Sequence, residues 1–193
     1  MGHQVVCKAV VHVLLHEVDY TGIPGGEERT RPMKDRVREA VFNLVGPSVV
    51  GKHAIDLFAG TGALGLEALS RGAARATFIE QHFPTAALIR QNVAQLGVAD
   101  QSQVVGANTF IWARQQHALD DLAWVVFCSP PFAFYQTRRD EMLTLIEGLL
   151  ARAPRESCFV VESDQEFPTE LLPGSGDWDV RTYSPAVIAV CHT

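Results

Sequence analysis

Between His53 and Gly65 the chain reads His-Ala-Ile-Asp-Leu-Phe-Ala-Gly-Thr-Gly-Ala-Leu-Gly: a short apolar run, a glycine-rich turn, and the first residues of a helical pattern. A strand that passes through a tight glycine turn into a helix is half of a βαβ unit, and such units require a parallel sheet. The rest of the chain repeats this alternation. Strands are expected at 53–58, 76–80, 103–105, 124–128 and 158–162, and helices at 33–45, 63–71, 84–96, 109–115 and 139–152. Thr30 is the expected N-cap of the first helix, with Gly46-Pro47 as its stop. Gly72 and Gly97 stand where helices end, and Pro84 where one begins. The last two strands, 178–183 and 186–191, are joined by too short a link for a parallel crossover and must pair antiparallel. The expected fold is α/β: a doubly wound, mostly parallel seven-stranded sheet, helices on both faces, with an antiparallel C-terminal strand.

Length and composition fit one such domain. The 193 residues are 47% hydrophobic and 20% charged, within the range of globular proteins. No apolar run approaches the roughly 18 residues a membrane span needs. The first twenty residues are interrupted by His, Lys, Glu and Asp and lack a small-residue cleavage site, so a secretory signal is not expected. Cys7, Cys128, Cys158 and Cys191 form no C-x-x-C pair, which suits a reduced cytoplasm. Residues 1–30, with short strands within 4–18 and a turn-rich, mobile loop at 20–28, are expected to precede a catalytic domain at 31–193. A net charge of −6 argues against non-specific coating of nucleic acid, which depends on neutralising phosphates. Local basic clusters remain at Arg29, Arg31, Lys34, Arg36 and Arg38, and at Arg138-Arg139.

Gly60-Thr61-Gly62-Ala63-Leu64-Gly65 matches the dinucleotide fingerprint, but Asp56 points to another cofactor. A carboxylate at the end of the first strand repels a pyrophosphate and suits an ammonium. S-adenosylmethionine carries an ammonium and a sulfonium and has no phosphate. Glu80, ending the second strand, stands where an acid takes ribose hydroxyls. Asn108, after the third strand, either hydrogen-bonds the edge of an adenine or caps the next helix. With Phe58, Ala59, Gln81 and Thr109 these residues form the expected cofactor site.

Ser129-Pro130-Pro131-Phe132 follows the fourth strand directly. The prolines fix φ and donate no hydrogen bond, so the Pro130 carbonyl can be held toward a ligand. Methylating an exocyclic NH₂ needs such acceptors, because its lone pair is delocalised into the base. Hydrogen bonds from the NH₂ to a side-chain oxygen and a carbonyl localise it. Phe132 can stack on an unstacked base.

Three stretches together, Arg31-Pro32-Met33-Lys34-Asp35-Arg36-Val37-Arg38-Glu39, Asp56 through Gly72, and Ser129-Pro130-Pro131-Phe132, resemble the RsmD-type 16S ribosomal RNA guanine-N2 methyltransferases. The resemblance runs from about Arg31 to Glu162. It implies a class I methyltransferase fold with S-adenosylmethionine as donor. The implied acceptor is a guanine 2-amino group of 16S RNA, on the small subunit or an assembly intermediate, with no metal and no membrane. Asp56, Phe58 to Gly62 and Glu80 then hold the cofactor, and Ser129, Pro130, Pro131 and Phe132 the target. Arg31, Arg36, Arg38, Arg138 and Arg139 are the expected RNA contacts. The family has Asp before Pro-Pro where this chain has Ser129, a neutral and weaker acceptor. Its basic, glycine-rich N-terminal segment has no counterpart in residues 1–20.

Other readings explain less. A methyltransferase of DNA, another RNA or a small molecule shares the same motifs, and a degenerate relative that binds without catalysing is compatible with Ser129. A nucleotide-dependent dehydrogenase accounts for the glycines and Glu80 but not for Asp56 or the proline turn. His12 and His16 lack a third metal ligand, and Cys128 has no neighbouring base that would make it a nucleophile.

Overall fold

The computed structural model describes residues 31–115, 119–174 and 177–193. The expected N-terminal strands, the loop at 20–28 and the Thr30 cap lie outside them. In chain order the elements are α1 (Arg31–Val45), β1 (His53–Asp56), α2 (Ala63–Ser70), β2 (Arg75–Ile79), α3 (Phe83–Gln95), β3 (Ser102–Val105), α4 (Thr109–Arg114), β4 (Trp124–Cys128), α5 (Phe134–Thr137), α6 (Arg139–Leu150), β5 (Cys158–Asp164), β6 (Asp179–Tyr183) and β7 (Ala186–His192).

The strands form one seven-stranded sheet in the order β3-β2-β1-β4-β5-β7-β6. β1 to β5 run parallel, and β7 lies antiparallel between β5 and β6. The expected doubly wound sheet is therefore present. Both faces are covered, which is why the central strands are buried along their length. On one face α1, α2 and α3 place Val41, Phe42, Leu66 and Ile89 against Ala54, Phe78, Phe127 and Ile188. On the other, α4 and α6 place Phe110, Trp112, Met142 and Ile146 against Ile55, Val126, Phe159 and Val161.

Most boundaries shift by one or two residues, and three differences from expectation bear on the site. α1 begins at Arg31 rather than Met33, taking the Arg-Pro pair into its first turn, where proline's missing N–H is harmless. β1 ends at Asp56 rather than Phe58, because the chain already turns there, although the Leu57 N–H still reaches the Phe127 carbonyl at 3.0 Å. The short α5 was not expected. It follows the proline turn because the Phe134 N–H donates to the Pro131 carbonyl at 2.9 Å and starts a helical turn.

The chain builds outward from β1 to β3 and then crosses to the other side of β1 to form β4. Strand order reverses between β1 and β4, and the crevice beyond their carboxyl ends is where open α/β sheets bind ligands. Asp56 and Ser129 flank that crevice.

Candidate functional site

Asp56 closes β1 and is buried beneath the glycine turn, its Oδ2 accepting the Gly65 N–H at 3.1 Å. Burial pushes its carboxyl up to about 7; the Gly65 hydrogen bond opposes the rise and the Glu80 charge adds to it. Glu80 receives two backbone donors, Gly60 N–H on Oε2 at 2.9 Å and His82 N–H on Oε1 at 2.7 Å. It ties the turn after β1 to the loop after β2. Among the described residues no Lys or Arg forms an ion pair with either acid.

The three glycines have different tasks. Gly60 has φ of +53°, and a Cβ there would meet nothing within 4 Å, so its backbone borders open space. Gly62 has φ of +83°, and its Cβ would press on Ile89 and Phe78, at 3.2 and 3.4 Å. At Gly65 a Cβ would lie 2.3 Å from the Phe78 ring, so this glycine lets α2 rest directly on β2. Of the three, Gly60 alone leaves its backbone open to close approach; the other two serve packing. Thr61 offers its carbonyl to Asn92 Nδ2 at 3.4 Å, and Ala59 is buried. Phe58 meets Phe110 and Phe134 edge-on, with ring centroids 5.9 and 6.0 Å apart.

Of the two roles open to Asn108, the structure shows the cap. Its Oδ1 accepts the N–H groups of Phe110 and Ile111 at 3.0 and 3.3 Å, and its Nδ2 donates to Gln81 Oε1 at 3.1 Å. The pair joins the loops after β2 and β3. Thr109, expected at the cofactor, is buried, and its hydroxyl donates to the Leu57 carbonyl. Its place is behind the turn that Leu57 begins. Phe83 and Ile111, not singled out from the sequence, are 71% and 55% exposed at the starts of α3 and α4. The Phe83 ring borders Gly106, where a Cβ would lie 3.2 Å from it. Their exposure became visible only in the fold, which leaves large apolar side chains beside polar loop ends.

Across the crevice, Ser129 is half-buried at the end of β4 and its hydroxyl donates to Glu162 Oε2. Among the described residues no hydrogen bond reaches the Pro130 carbonyl, whereas those of Pro131 and Phe132 accept from Phe134 and Tyr135. Phe132 is half-buried against the core formed with α1 to α3. Cys128, next along, is fully buried, and burial pushes its thiol up to about 12, so it is no nucleophile.

Arg36 is exposed on α1, and Arg38 pairs with Asp35 at 2.9 Å. Arg138 forks onto both oxygens of Glu141, at 2.9 and 2.8 Å, and lies 4.0 Å over the Phe110 ring. Arg139 is exposed at the start of α6. Among the described residues no group of three His, Cys, Asp or Glu is arranged to hold a metal, and no helix is long and apolar enough to cross a membrane.

Two acids without a cation among the described residues, an open glycine backbone and two exposed apolar side chains along three adjacent strand ends fit S-adenosylmethionine, whose ends are an ammonium-bearing amino acid and an adenosine.

Residues 23–185 match the family model described as "Conserved hypothetical protein 95". The "Ribosomal RNA small subunit methyltransferase D" of Escherichia coli strain K12 is 38% identical over 147 residues, 75% of this chain and 70% of the relative. A solved Escherichia coli structure superposes with a TM-score of 0.67 at 33% identity, covering 81% of this chain and 84% of that one. An RNA methyltransferase from Salinibacter ruber, solved with S-adenosyl-L-homocysteine, shares the fold at a TM-score of 0.56, 18% identity, and coverage of 80% and 88%. With a family model across most of its length and a relative this similar, the chain belongs to the RsmD family of ribosomal RNA small-subunit methyltransferases, built on the class I S-adenosylmethionine-dependent methyltransferase fold.

Proposed function

We propose that residues 31–193 transfer a methyl group from S-adenosylmethionine to the exocyclic 2-amino group of a guanine in 16S ribosomal RNA, in the cytoplasm, with the RNA presented on the small subunit or an assembly intermediate. The observation that carries this is the switch-point crevice, where Asp56 and Glu80, without a cation among the described residues, stand on one side and the Ser129 hydroxyl and Pro130 carbonyl on the other. The name of the Escherichia coli relative supports ribosomal RNA, and the motif resemblance supports guanine N2.

Asp56 and the turn from Phe58 to Gly62 hold the amino-acid end of the cofactor, and Glu80 the ribose. Gln81, Phe83, Asn108 and Ile111 border the adenine. When bound, the cofactor supplies an electrophilic methyl on a sulfonium. Ser129 Oγ and the Pro130 carbonyl accept hydrogen bonds from the target NH₂, withdrawing its lone pair from the ring and turning it toward the methyl. Phe132 stacks on the base. Pro131 stiffens the turn that aims these groups. Arg31, Arg36, Arg38 and Arg139 contact RNA phosphates; Arg138, fixed on Glu141, contributes through the ring it covers.

A chain at −6 neutralises few phosphates, so free RNA binds weakly and a folded particle offers a shaped surface with an already unstacked base. The test incubates the protein and labelled cofactor with unmethylated small subunits, free 16S RNA and DNA in parallel. N2-methylguanine in subunits is expected, and lost when Arg36 and Arg38 are changed to Glu with cofactor binding kept. Label only in DNA, or as N6-methyladenine, overturns the substrate assignment.

A further inference from the structure

Glu162 sits on β5, outside the three motifs, yet the sheet brings it to the acceptor turn. In the parallel β4–β5 register Cys128 lies opposite Val161, so the next step along each strand sets Ser129 beside Glu162. The Ser129 hydroxyl donates its proton to Glu162 Oε2 across that step. Ser129 is half-buried, and so is Glu162, with buried Val161 and Ser163 on either side of it.

A free serine hydroxyl is an ambiguous partner for an amino group, since it donates as readily as it accepts. Donation to Glu162 removes the ambiguity. The proton is committed to the carboxylate, and both oxygen lone pairs are left for donors on the other side. A hydroxyl that donates to an ionised group also becomes a better acceptor, because hydrogen bonds in a chain polarise one another.

We infer that Glu162 is a positioning residue for the methyl-transfer step: it holds the Ser129 hydroxyl as a pure acceptor and lends it carboxylate charge, so that Ser129 receives the target amino group. This rests on the reading of Ser129 as an amino-group acceptor and deepens it. The recognised chemistry is an aromatic amine with an N–H to donate.

The experiment is a two-position cycle with Glu162→Gln and Ser129→Asp, assayed on unmethylated small subunits with cofactor affinity measured separately. In the wild-type background Glu162→Gln is expected to lower kcat at least about tenfold, with KM for subunits and cofactor Kd within about twofold, as for loss of a charge-assisted hydrogen bond. In the Ser129→Asp background the sign reverses. A carboxylate already stands at 129, a second beside it raises the proton affinity of both, and Glu162→Gln is expected to keep or raise kcat. A residue that merely supports the fold lowers activity in both backgrounds, and that result overturns the inference, as does an unchanged kcat in the wild-type background. Because the second background carries its own sign, it decides the matter even where Glu162→Gln alone unfolds. Wild-type protein that binds cofactor but leaves subunits unlabelled overturns the functional reading itself, whereas active wild type without the reversal overturns only the role of Glu162.

Discussion

β1 carries an ionisable side chain at each end, and the two ends of the sheet treat them differently. At the amino end His53 is buried with both ring nitrogens engaged: Nε2 with Thr77 Oγ1 at 2.8 Å and Nδ1 with Asp120 Oδ1 at 3.0 Å. Asp120 also takes Arg75 at 3.3 Å. There the protein completes its own polar network. At the carboxyl end Asp56 and Glu80 receive, among the described residues, only backbone N–H groups. The difference separates a polar network closed by side chains from a pair of acids held by backbone alone, the pair that the proposed function assigns to the cofactor.

The largest test of this contrast is on stability. Asp56 is raised from an ordinary 3.8 to about 7, chiefly by burial, so the folded state keeps a proton that the unfolded state has lost. Between those values stability falls as pH rises, and it levels off above about 7. The span corresponds to about 4 kcal/mol. Asp56→Asn is therefore expected to be the more stable form at pH 8, by up to about 4 kcal/mol in cofactor-free urea unfolding, and to match the wild type near pH 4. A wild type that is more stable at pH 8 than at pH 5, relative to the Asn variant, breaks the contrast.

The same acid should set the pH dependence of cofactor affinity. An ammonium binds the ionised carboxylate, so below about 7 binding must displace a proton, and the Kd for S-adenosylmethionine should rise as much as tenfold per pH unit. Calorimetry in buffers of different ionisation heat should register proton release at pH 6 and little at pH 8.5. Asp56→Asn should bind more weakly and lose the slope.

The smallest effect belongs to the other end. Thr77→Val leaves a ring nitrogen of His53 buried without its partner and should cost about 1–2 kcal/mol in stability. Cofactor affinity should not change, since the His53 network lies toward the amino ends of β1 and β2 and the site at their carboxyl ends. A matching loss of affinity would mean that the two ends are coupled through β1 and β2.

What the sequence disclosed, and what it hid, follows from distance along the chain. Asp56, the glycine turn and the Ser-Pro-Pro-Phe turn are contiguous, and each must be spelled out locally because backbone conformation depends on it. Alternating patterns likewise revealed the sheet. Glu162 was hidden because 33 residues separate it from Ser129 and only strand register joins them. Thr109 reads as a ligand residue by its polarity, while its position at the start of α4 turns its hydroxyl toward the Leu57 carbonyl. Arg138 looked like an RNA contact by charge alone, and Glu141, three residues on along α6, captures it.

Gly65 gives the site a mechanical property. With no side chain between α2 and the Phe78 ring, the helix rests on the sheet as on a hard bearing, without the yielding layer that an alanine or leucine would interpose. The Gly65 N–H that meets Asp56 is thereby gauged from β2, a strand two-sidedly clamped in the core. The seat beneath the glycine turn inherits the stiffness of the sheet, and any bulk added at Gly65 would act as a shim that lifts the whole turn.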